Sequence, residues 1–129
     1  MKLDLGGIDA IDNPTADDIH HYLKFMPTES PFVVLSNGDQ FIQSVYQGSD
    51  YRVEYKSDDG TQFFATTDYE TAVKLFVSFL ARDGNYRSAV AWKRLRLSAW
   101  TTPNHPCAVS ALCVLLIIGI VIAIWSALN

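Results

Sequence analysis

Apolar and polar residues alternate through the middle of the chain. The alternation is clearest over residues 51–57, where tyrosine and valine side chains are separated by Arg52, Glu54 and Lys56. A period of two residues is typical of a β-strand that buries one face. Four stretches bounded by turn residues have this character, so the sequence predicts strands over residues 32–36, 40–46, 51–57 and 62–66.

Short turns separate the predicted strands. Asn37-Gly38 lies between the first two strands and Asp59-Gly60 between the last two. Both dipeptides favour two-residue hairpin turns, because the central positions of these turns need positive φ angles. Residues 47–50 link the second strand to the third. The four strands are therefore expected to form an antiparallel meander.

One helix is predicted before this meander along the chain, and a second helix is predicted after it. The first follows Asn13-Pro14-Thr15, where Asn13 or Thr15 caps the helix, and it ends at Pro27. The second begins with a capping box formed by Thr67 and Glu70, and Gly84 ends it in a left-handed conformation. Apolar residues recur in both helices at the spacing of one helical face.

The last part of this domain leaves two alternatives open. Residues 85–90 predict a short helical turn, and residues 91–97 are compatible with a strand or with a helix. The element order is α-β-β-β-β-α, which predicts an α+β fold. Its sheet has four strands, or five if residues 91–97 are extended.

The two faces of the predicted sheet differ in composition. If both glycine turns contain two residues, one face is apolar and packs on the long second helix. The opposite face mixes apolar and charged side chains, and either the first helix covers its apolar half or the face is exposed and binds a partner. We expect partial cover. The first face comprises Val33, Leu35, Ile42, Tyr46, Tyr51, Val53, Tyr55 and Phe64, and the second comprises Phe32, Val34, Phe41, Gln43, Val45, Arg52, Glu54, Lys56 and Phe63.

A long apolar segment follows the predicted domain. Residues 107–128 read CAVSALCVLLIIGIVIAIWSAL and contain no charged side chain. As a helix they cover roughly 33 Å, which matches the hydrocarbon core of a bilayer. The sequence therefore predicts a soluble domain over residues 1–97, a juxtamembrane linker over residues 98–106 and a transmembrane helix over residues 107–128.

Flanking charges predict the orientation of this helix. Lys93, Arg94 and Arg96 precede it and Asn129 follows it, so the positive-inside rule places the domain in the cytoplasm. The first residues lack the apolar stretch of a signal peptide, so we expect a tail anchor in the cell inner membrane. The basic residues are also positioned to contact anionic lipid headgroups.

Two further features lie in the apolar segment. Gly119, Ala123 and Ala127 form a stripe of small residues, which makes them candidates for helix association in a homodimer. Cys107 is either an acylation site or a small apolar residue of the helix.

The charge of the domain limits its partners. Residues 1–90 carry seven basic and all fourteen acidic side chains of the chain, a net charge of −7. An acidic domain disfavours nucleic acid, because phosphate neutralisation needs basic side chains. It is compatible with a basic protein surface.

Signatures of catalysis or metal binding are weak throughout. His20 and His21 are adjacent, so on a helix they point about 100° apart and do not share a metal ion. The predicted domain contains no cysteine, no G-x-S-x-G elbow and no phosphate-binding loop. We therefore predict no catalytic residue, no cofactor and no metal site, and a binding role rather than an enzyme.

Residues 31–95 contain several aromatic and structural motifs, namely Phe41-Ile42-Gln43, Tyr51-x-Val53-Glu54-Tyr55, Phe79-Leu80, Asp83-x-x-Tyr86-Arg87 and Trp92. In these motifs the segment resembles a family of small bacterial immunity proteins of polymorphic and contact-delivered toxin systems. The family resemblance implies an α+β protein that neutralises a cognate toxin by occluding it, and it carries no catalytic residue across.

Together these observations predict a membrane-tethered immunity protein whose partner is a toxin domain of basic charge. The alternative is a tail-anchored adaptor or regulatory subunit of an inner-membrane complex. The predicted partner contacts are Tyr46, Asp50, Arg52, Glu54, Lys56 and Phe63.

Overall fold

The structure, a computed structural model, describes residues 1–26 and 31–96. This part of the chain contains seven β-strands, two α-helices and one 3-10 turn. The strands are β1 (Lys2–Asp4), β2 (Ala10–Asp12), β3 (Phe32–Asn37), β4 (Gln40–Tyr46), β5 (Tyr51–Lys56), β6 (Gln62–Thr67) and β7 (Lys93–Arg94). The helices are α1 (Ala16–Lys24) and α2 (Tyr69–Ala81), and the 3-10 turn is Asn85–Arg87.

All the strands pair in one antiparallel sheet of order β2-β1-β3-β4-β5-β6-β7. The predicted α+β class, the four central strands and both helices are confirmed. The sheet is wider than predicted, because β1 and β2 form an N-terminal hairpin and β1 pairs with β3. Strands of three residues are too short to show alternation, so the sequence pattern did not reveal them. The ambiguous segment 91–97 contributes the short edge strand β7.

The turn between β3 and β4 lies one residue later than predicted. Asn37 pairs with Gln40, so Gly38 and Asp39 form the turn, and Gly38 has a φ of 60°. This moves the pairing of the two strands by two residues. A shift by an even number leaves each side chain on its predicted face.

The loop between β5 and β6 has three residues rather than two. Lys56 pairs with Gln62, and the Ser57 amide donates to the Thr61 carbonyl at 2.9 Å. Gly60, at a φ of 81°, supplies the left-handed residue of a three-residue hairpin loop. An odd shift in register turns every side chain of β6 over, so the predicted facing of Phe63 and Phe64 is wrong.

Of the two residues predicted to cap helix α1, Asn13 and Thr15, one forms the cap. The Thr15 hydroxyl accepts a hydrogen bond from the Asp18 amide at 3.2 Å, and the Thr15 amide donates to the Asp18 carboxylate at 2.7 Å. The Thr15 amide and the Thr15 hydroxyl both donate to the Asp18 carboxylate, which favours its ionised form and lowers the pKa of Asp18. Thr15 is therefore the cap, and Asn13 lies outside the helix at a φ of 52°.

Helix α2 differs from its prediction at both ends. Thr67 is the last residue of β6, and Asp68 caps the helix by accepting from the Thr71 amide at 2.7 Å. At the other end Arg82, at a φ of 58°, takes the left-handed position that was predicted for Gly84. Gly84 instead precedes the 3-10 turn. The predicted capping box and C-terminal glycine cap are therefore wrong by one and two residues.

Both helices pack on the same face of the sheet. The Tyr51 hydroxyl, on that face, donates to the Leu23 carbonyl of α1 at 2.9 Å, and the Tyr69 hydroxyl of α2 donates to the His20 carbonyl at 3.1 Å. The predicted cover of the opposite face by α1 is therefore wrong. Seven strands about 4.8 Å apart are wider than one helix of about 10 Å, so a second helix fits beside α2. The largest fully buried side chains of this single core are Phe76, Leu3, Ile19, Leu23, Leu35, Ile42 and Leu75.

Within residues 1–26 and 31–96, no helix is long and apolar enough to cross a membrane. The predicted transmembrane helix 107–128, its stripe of Gly119, Ala123 and Ala127, and the linker 98–106 lie outside the described residues.

Candidate protein-binding face of the sheet

One face of the sheet carries no helix among the described residues, and we call it the open face. Cross-strand pairing places Gln43, Glu54 and Phe64 in one row across β4, β5 and β6. Val45, Arg52 and Thr66 form the next row. The side chains of the open face on β3 to β7 are Phe32, Val34, Ser36, Phe41, Gln43, Val45, Arg52, Glu54, Lys56, Gln62, Phe64, Thr66 and Lys93.

A hydrogen-bonded polar network lies at the centre of the open face. The Glu54 carboxylate accepts from Arg52 Nε at 2.6 Å and from Gln43 Nε2 at 2.7 Å. The Glu54 side chain is 13% exposed and the Arg52 side chain 27%, while Gln43 as a residue is 5% exposed. A carboxylate this far from water needs such partners, because an uncompensated charge is costly to bury. The network holds its three members in place.

Arg52 is fixed from a second direction as well. Its guanidinium carbon lies 4.4 Å from the centroid of the Phe64 ring, a cation–π distance. The side chain is therefore held by its Nε atom on Glu54 and by the contact of its guanidinium with the Phe64 ring. No described residue forms a hydrogen bond with its two Nη groups. The guanidinium is thus ordered and still has donors to offer.

Half-buried apolar side chains surround the network. Phe32 lies opposite Val45 on the neighbouring strand, and Val34 lies opposite Gln43. Phe41 extends the group towards the β3–β4 turn. Aromatic and aliphatic groups around an arginine are the composition of the centre of a protein–protein interface. The open face has this character over β3 to β6.

The structure brings together three of the six predicted contact residues. Arg52, Glu54 and Lys56 share the open face along β5. Asp50 lies in the β4–β5 loop, where its carbonyl accepts from the Gln47 amide at 2.8 Å. Tyr46 lies on the helix side of the sheet, is 40% exposed and has its ring 5.2 Å from that of Tyr51.

Phe63, one of the six predicted contact residues, lies on the opposite face of the sheet from the one predicted. Its ring stacks on Tyr55 at 5.2 Å and an interplanar angle of 14°, and it packs against the core on the helix side. Phe64 occupies the position on the open face that was predicted for Phe63. The signal that could have found it is the loop Ser57–Thr61, in which a glycine at the third central position favours a three-residue hairpin loop.

Charged and aromatic groups elsewhere have structural partners. Asp58 forms an ion pair with Arg87 at 3.2 Å and accepts a hydrogen bond from Gln40. Hydrogen bonds from the Ser57 hydroxyl and the Thr61 amide lower the pKa of Asp59 to about 2. His20 Nδ1 lies 3.3 Å from the Tyr69 hydroxyl. These contacts order loops and helix ends.

Outside the open face, the described residues form few groupings that could bind a metal ion or a small molecule. In the described ranges, no three His, Cys, Asp or Glu side chains are grouped so that they could hold a metal ion. A cleft of about 350 Å³ opens at one end of the sheet. It is lined by Met1, Lys2, Asp12, Asn13, Ser36, Asn37 and Gly38. The cleft contains neither a nucleophile with an adjacent base nor a pair of carboxylates.

Comparisons with protein-family models, with curated proteins and with solved structures found no significant match to this chain. The resemblance to immunity proteins therefore remains a prediction from the residues that carry it.

Proposed function

We propose that the protein is a membrane-tethered binding protein that neutralises a bacterial toxin domain by occluding it. The open face is the docking surface in this proposal. The observation that carries the proposal is the network of Gln43, Arg52 and Glu54, which is already formed and surrounded by half-buried apolar side chains.

The composition of the open face supports docking by a protein. The solvated face of an antiparallel sheet is usually polar. Here Phe32, Phe41 and Phe64 are each only half-buried. A partner that covers these rings removes apolar surface from water, which stabilises the complex by about 25 cal/mol per Å² before the costs of association.

The order of the network lowers those costs. Side chains that are ordered only on binding cost about 0.5–1.5 kcal/mol each. Arg52 is held by Glu54 at 2.6 Å and by the Phe64 ring, so little of its freedom is left to lose. A preformed surface suits inhibition by occlusion, which needs tight binding and no chemistry.

The membrane segment adds local concentration in this proposal. Residues 107–128 anchor the protein in the inner membrane with its domain in the cytoplasm, and Arg94 and Arg96 contact anionic lipids. A tethered inhibitor meets an incoming toxin at a raised effective concentration. Replacing residues 107–128 by an unrelated membrane-spanning helix should preserve protection if the segment acts as an anchor.

The test is co-expression of the full chain with the product of the large gene directly upstream, which the proposal requires to be a toxin. We expect the protein to restore growth and to co-purify with the toxin. Substituting Phe64→Ala together with Phe41→Ala should weaken binding by roughly tenfold or more, because truncating central aromatic contacts typically costs over 1 kcal/mol each. The matched control is Phe25→Ala, which truncates a phenylalanine that is 61% exposed at the end of α1.

Two outcomes contradict the proposal. Full protection by the Phe41/Phe64 variant, with unchanged near-ultraviolet circular dichroism, excludes the open face as the docking surface. Failure to restore growth or to co-purify with the toxin excludes the immunity function. Co-purification with an inner-membrane complex in that case favours the adaptor or regulatory subunit.

A further inference from the structure

The charges of the open face differ from those of the chain as a whole. The chain carries a net charge of −4, but the exposed acidic side chains lie mostly in turns, loops and helix ends. They include Asp39, Asp50, Asp58, Asp59 and Asp68. On β4 to β7 the open face holds one carboxylate, Glu54, and Arg52 pairs with it at 2.6 Å. On these strands the charge that remains to attract a partner is therefore positive, whereas Asp4 and Asp12 lie on the same face at β1 and β2.

Three cationic side chains lie on the part of the open face formed by β5, β6 and β7, which we call its β5–β7 half. Arg52 and Lys56 lie on either side of Glu54 along β5. Lys93 on β7 lies opposite Phe64 on β6. Lys56 is half-buried and Lys93 exposed, and neither contacts an acidic side chain among the described residues. The Phe64 ring thus lies between Arg52 and Lys93. An apolar contact and two cationic contacts are available within one small area.

Arg52 is suited to bind a carboxylate. Its Nε atom donates to Glu54 and its guanidinium lies over the Phe64 ring, which leaves its two Nη groups as donors. A guanidinium presents these donors in a planar fork that matches the two oxygens of a carboxylate. Because the fork is already ordered, a bound carboxylate forms charge-assisted hydrogen bonds at low entropic cost.

We propose that the β5–β7 half of the open face recognises an acidic segment of a protein partner that also carries aromatic or aliphatic side chains. A partner carboxylate binds the Nη groups of Arg52, and an adjacent apolar side chain packs on Phe64. Lys56 and Lys93 attract the segment before contact. This inference rests on the proposed function, because it takes the open face as the docking surface. The partner segment inferred here is acidic, whereas the net charge of the domain predicts a basic partner.

A protein segment fits this surface better than a nucleic acid. A phosphate backbone extends its charge over several nucleotides and needs cations along its whole path. Here Asp39, Asp58 and Asp59 lie at one end of the strands and Asp50 and Asp68 at the other. A short acidic segment on β5 to β7 avoids both acidic ends.

The experiment uses the full chain in a mild detergent and two synthetic peptides of one design. The first peptide alternates Glu with Leu around a single Phe, and the second has Lys in place of every Glu. Nuclear magnetic resonance titration locates the site through backbone amide shifts. We expect the acidic peptide to shift amides of residues 52–56 and 62–64 and to bind at least tenfold more tightly than the basic one.

Charge variants test the individual contacts. Lys56→Glu should weaken binding of the acidic peptide about tenfold, since it reverses a cation with no partner among the described residues. Lys74→Glu is the matched control, because it makes the same charge change at an exposed position of α2, and it should alter the affinity less than twofold. Arg52→Lys keeps the charge but removes the planar fork, so it should also weaken binding about tenfold.

Each contrary result overturns the inference in a defined way. Tighter binding of the basic peptide at the same amides reverses the charge of the partner but leaves the docking face in place. Equal effects of Lys56→Glu and Lys74→Glu, or binding of neither peptide, remove the acidic segment as the partner. An oligothymidylate that shifts the same amides at equal affinity identifies a nucleic acid. Toxin co-purification judges the proposed function separately from all of these results.

Discussion

The ion pair between Arg52 and Glu54 permits a quantitative test of the open face. The perturbation is Arg52→Met, which keeps an unbranched stem on the Phe64 ring and removes the positive charge. Glu54, with only 13% of its side chain exposed, then keeps a negative charge with Gln43 as its remaining partner. We expect the free energy of unfolding to fall.

The exposures of the two side chains set the size of this loss. Exposed ion pairs contribute about 0–1 kcal/mol, whereas removing one partner of a fully buried pair costs about 3–5 kcal/mol. At 27% and 13% exposure, the Arg52–Glu54 pair lies between these limits. Loss of the cation–π contact adds about 0.5–1 kcal/mol. We therefore expect Arg52→Met to destabilise the protein by about 2 kcal/mol.

A double-mutant cycle isolates the contribution of the pair. Glu54→Gln removes the charge and retains an acceptor for Gln43, so the double variant has no uncompensated carboxylate. We expect the double variant to be more stable than Arg52→Met, with a coupling energy of about 1 kcal/mol.

Urea unfolding of the full chain in a non-ionic detergent measures these differences. Near-ultraviolet circular dichroism of the packed rings around Tyr55 is a suitable signal. A loss below about 0.5 kcal/mol for Arg52→Met, the range of ordinary surface substitutions, would refute the reasoning. Additive effects of the two substitutions would show that the pair is not coupled.

Three further predictions concern the core and the loops. Ser44 is fully buried between Val33 and Val53, and its hydroxyl has no partner among the described residues. Ser44→Ala should therefore stabilise the protein by about 1 kcal/mol, measured by urea unfolding. A loss of stability contradicts this account of the site. Phe76 is the largest fully buried side chain among the described residues, so Phe76→Ala should cost about 3–5 kcal/mol. Phe25→Ala, at an exposed position, should change stability by less than about 0.5 kcal/mol. Similar losses for both would mean that Phe76 is not a core residue. The pKa of Asp59 is lowered to about 2, so its ionised form stabilises the folded state fully above about pH 4, and this stabilisation is lost as the pH falls towards 2. The wild type should therefore exceed Asp59→Asn in its urea midpoint at pH 7, and the difference should shrink between pH 4 and pH 2; a difference that does not depend on pH excludes this carboxylate as its cause.

Local signals in the sequence predicted most of the secondary structure. The alternation in residues 51–56 depends only on neighbouring residues, and β5 has the predicted character with Tyr51, Val53 and Tyr55 buried. Thr15, one of the two predicted caps of α1, likewise caps that helix through contacts within its first turn. These groups are close along the chain, so they form in any context that permits the element, although equally local signals placed the two ends of α2 wrongly by one and two residues.

The candidate site could be predicted only in part. Arg52, Glu54 and Lys56 were placed together correctly, because a strand presents every second side chain on one face. Phe63 was placed incorrectly, because one additional loop residue before β6 reverses the facing of that strand. A glycine in a turn indicates where the chain reverses direction, but the choice between two and three loop residues also depends on the hydrogen bonds of Ser57 and Thr61.

By itself, the sequence determined the α+β class, the four central strands, the two helices and the mixed composition of one sheet face. Only the tertiary structure decided that β1 and β2 widen the sheet, that α1 lies beside α2, and that Phe64 meets Arg52. These outcomes depend on contacts between residues far apart in the chain, such as the pairing of Leu3 with Leu35. The free energy of such contacts comes from burying a shared apolar surface, which no local pattern of residues specifies.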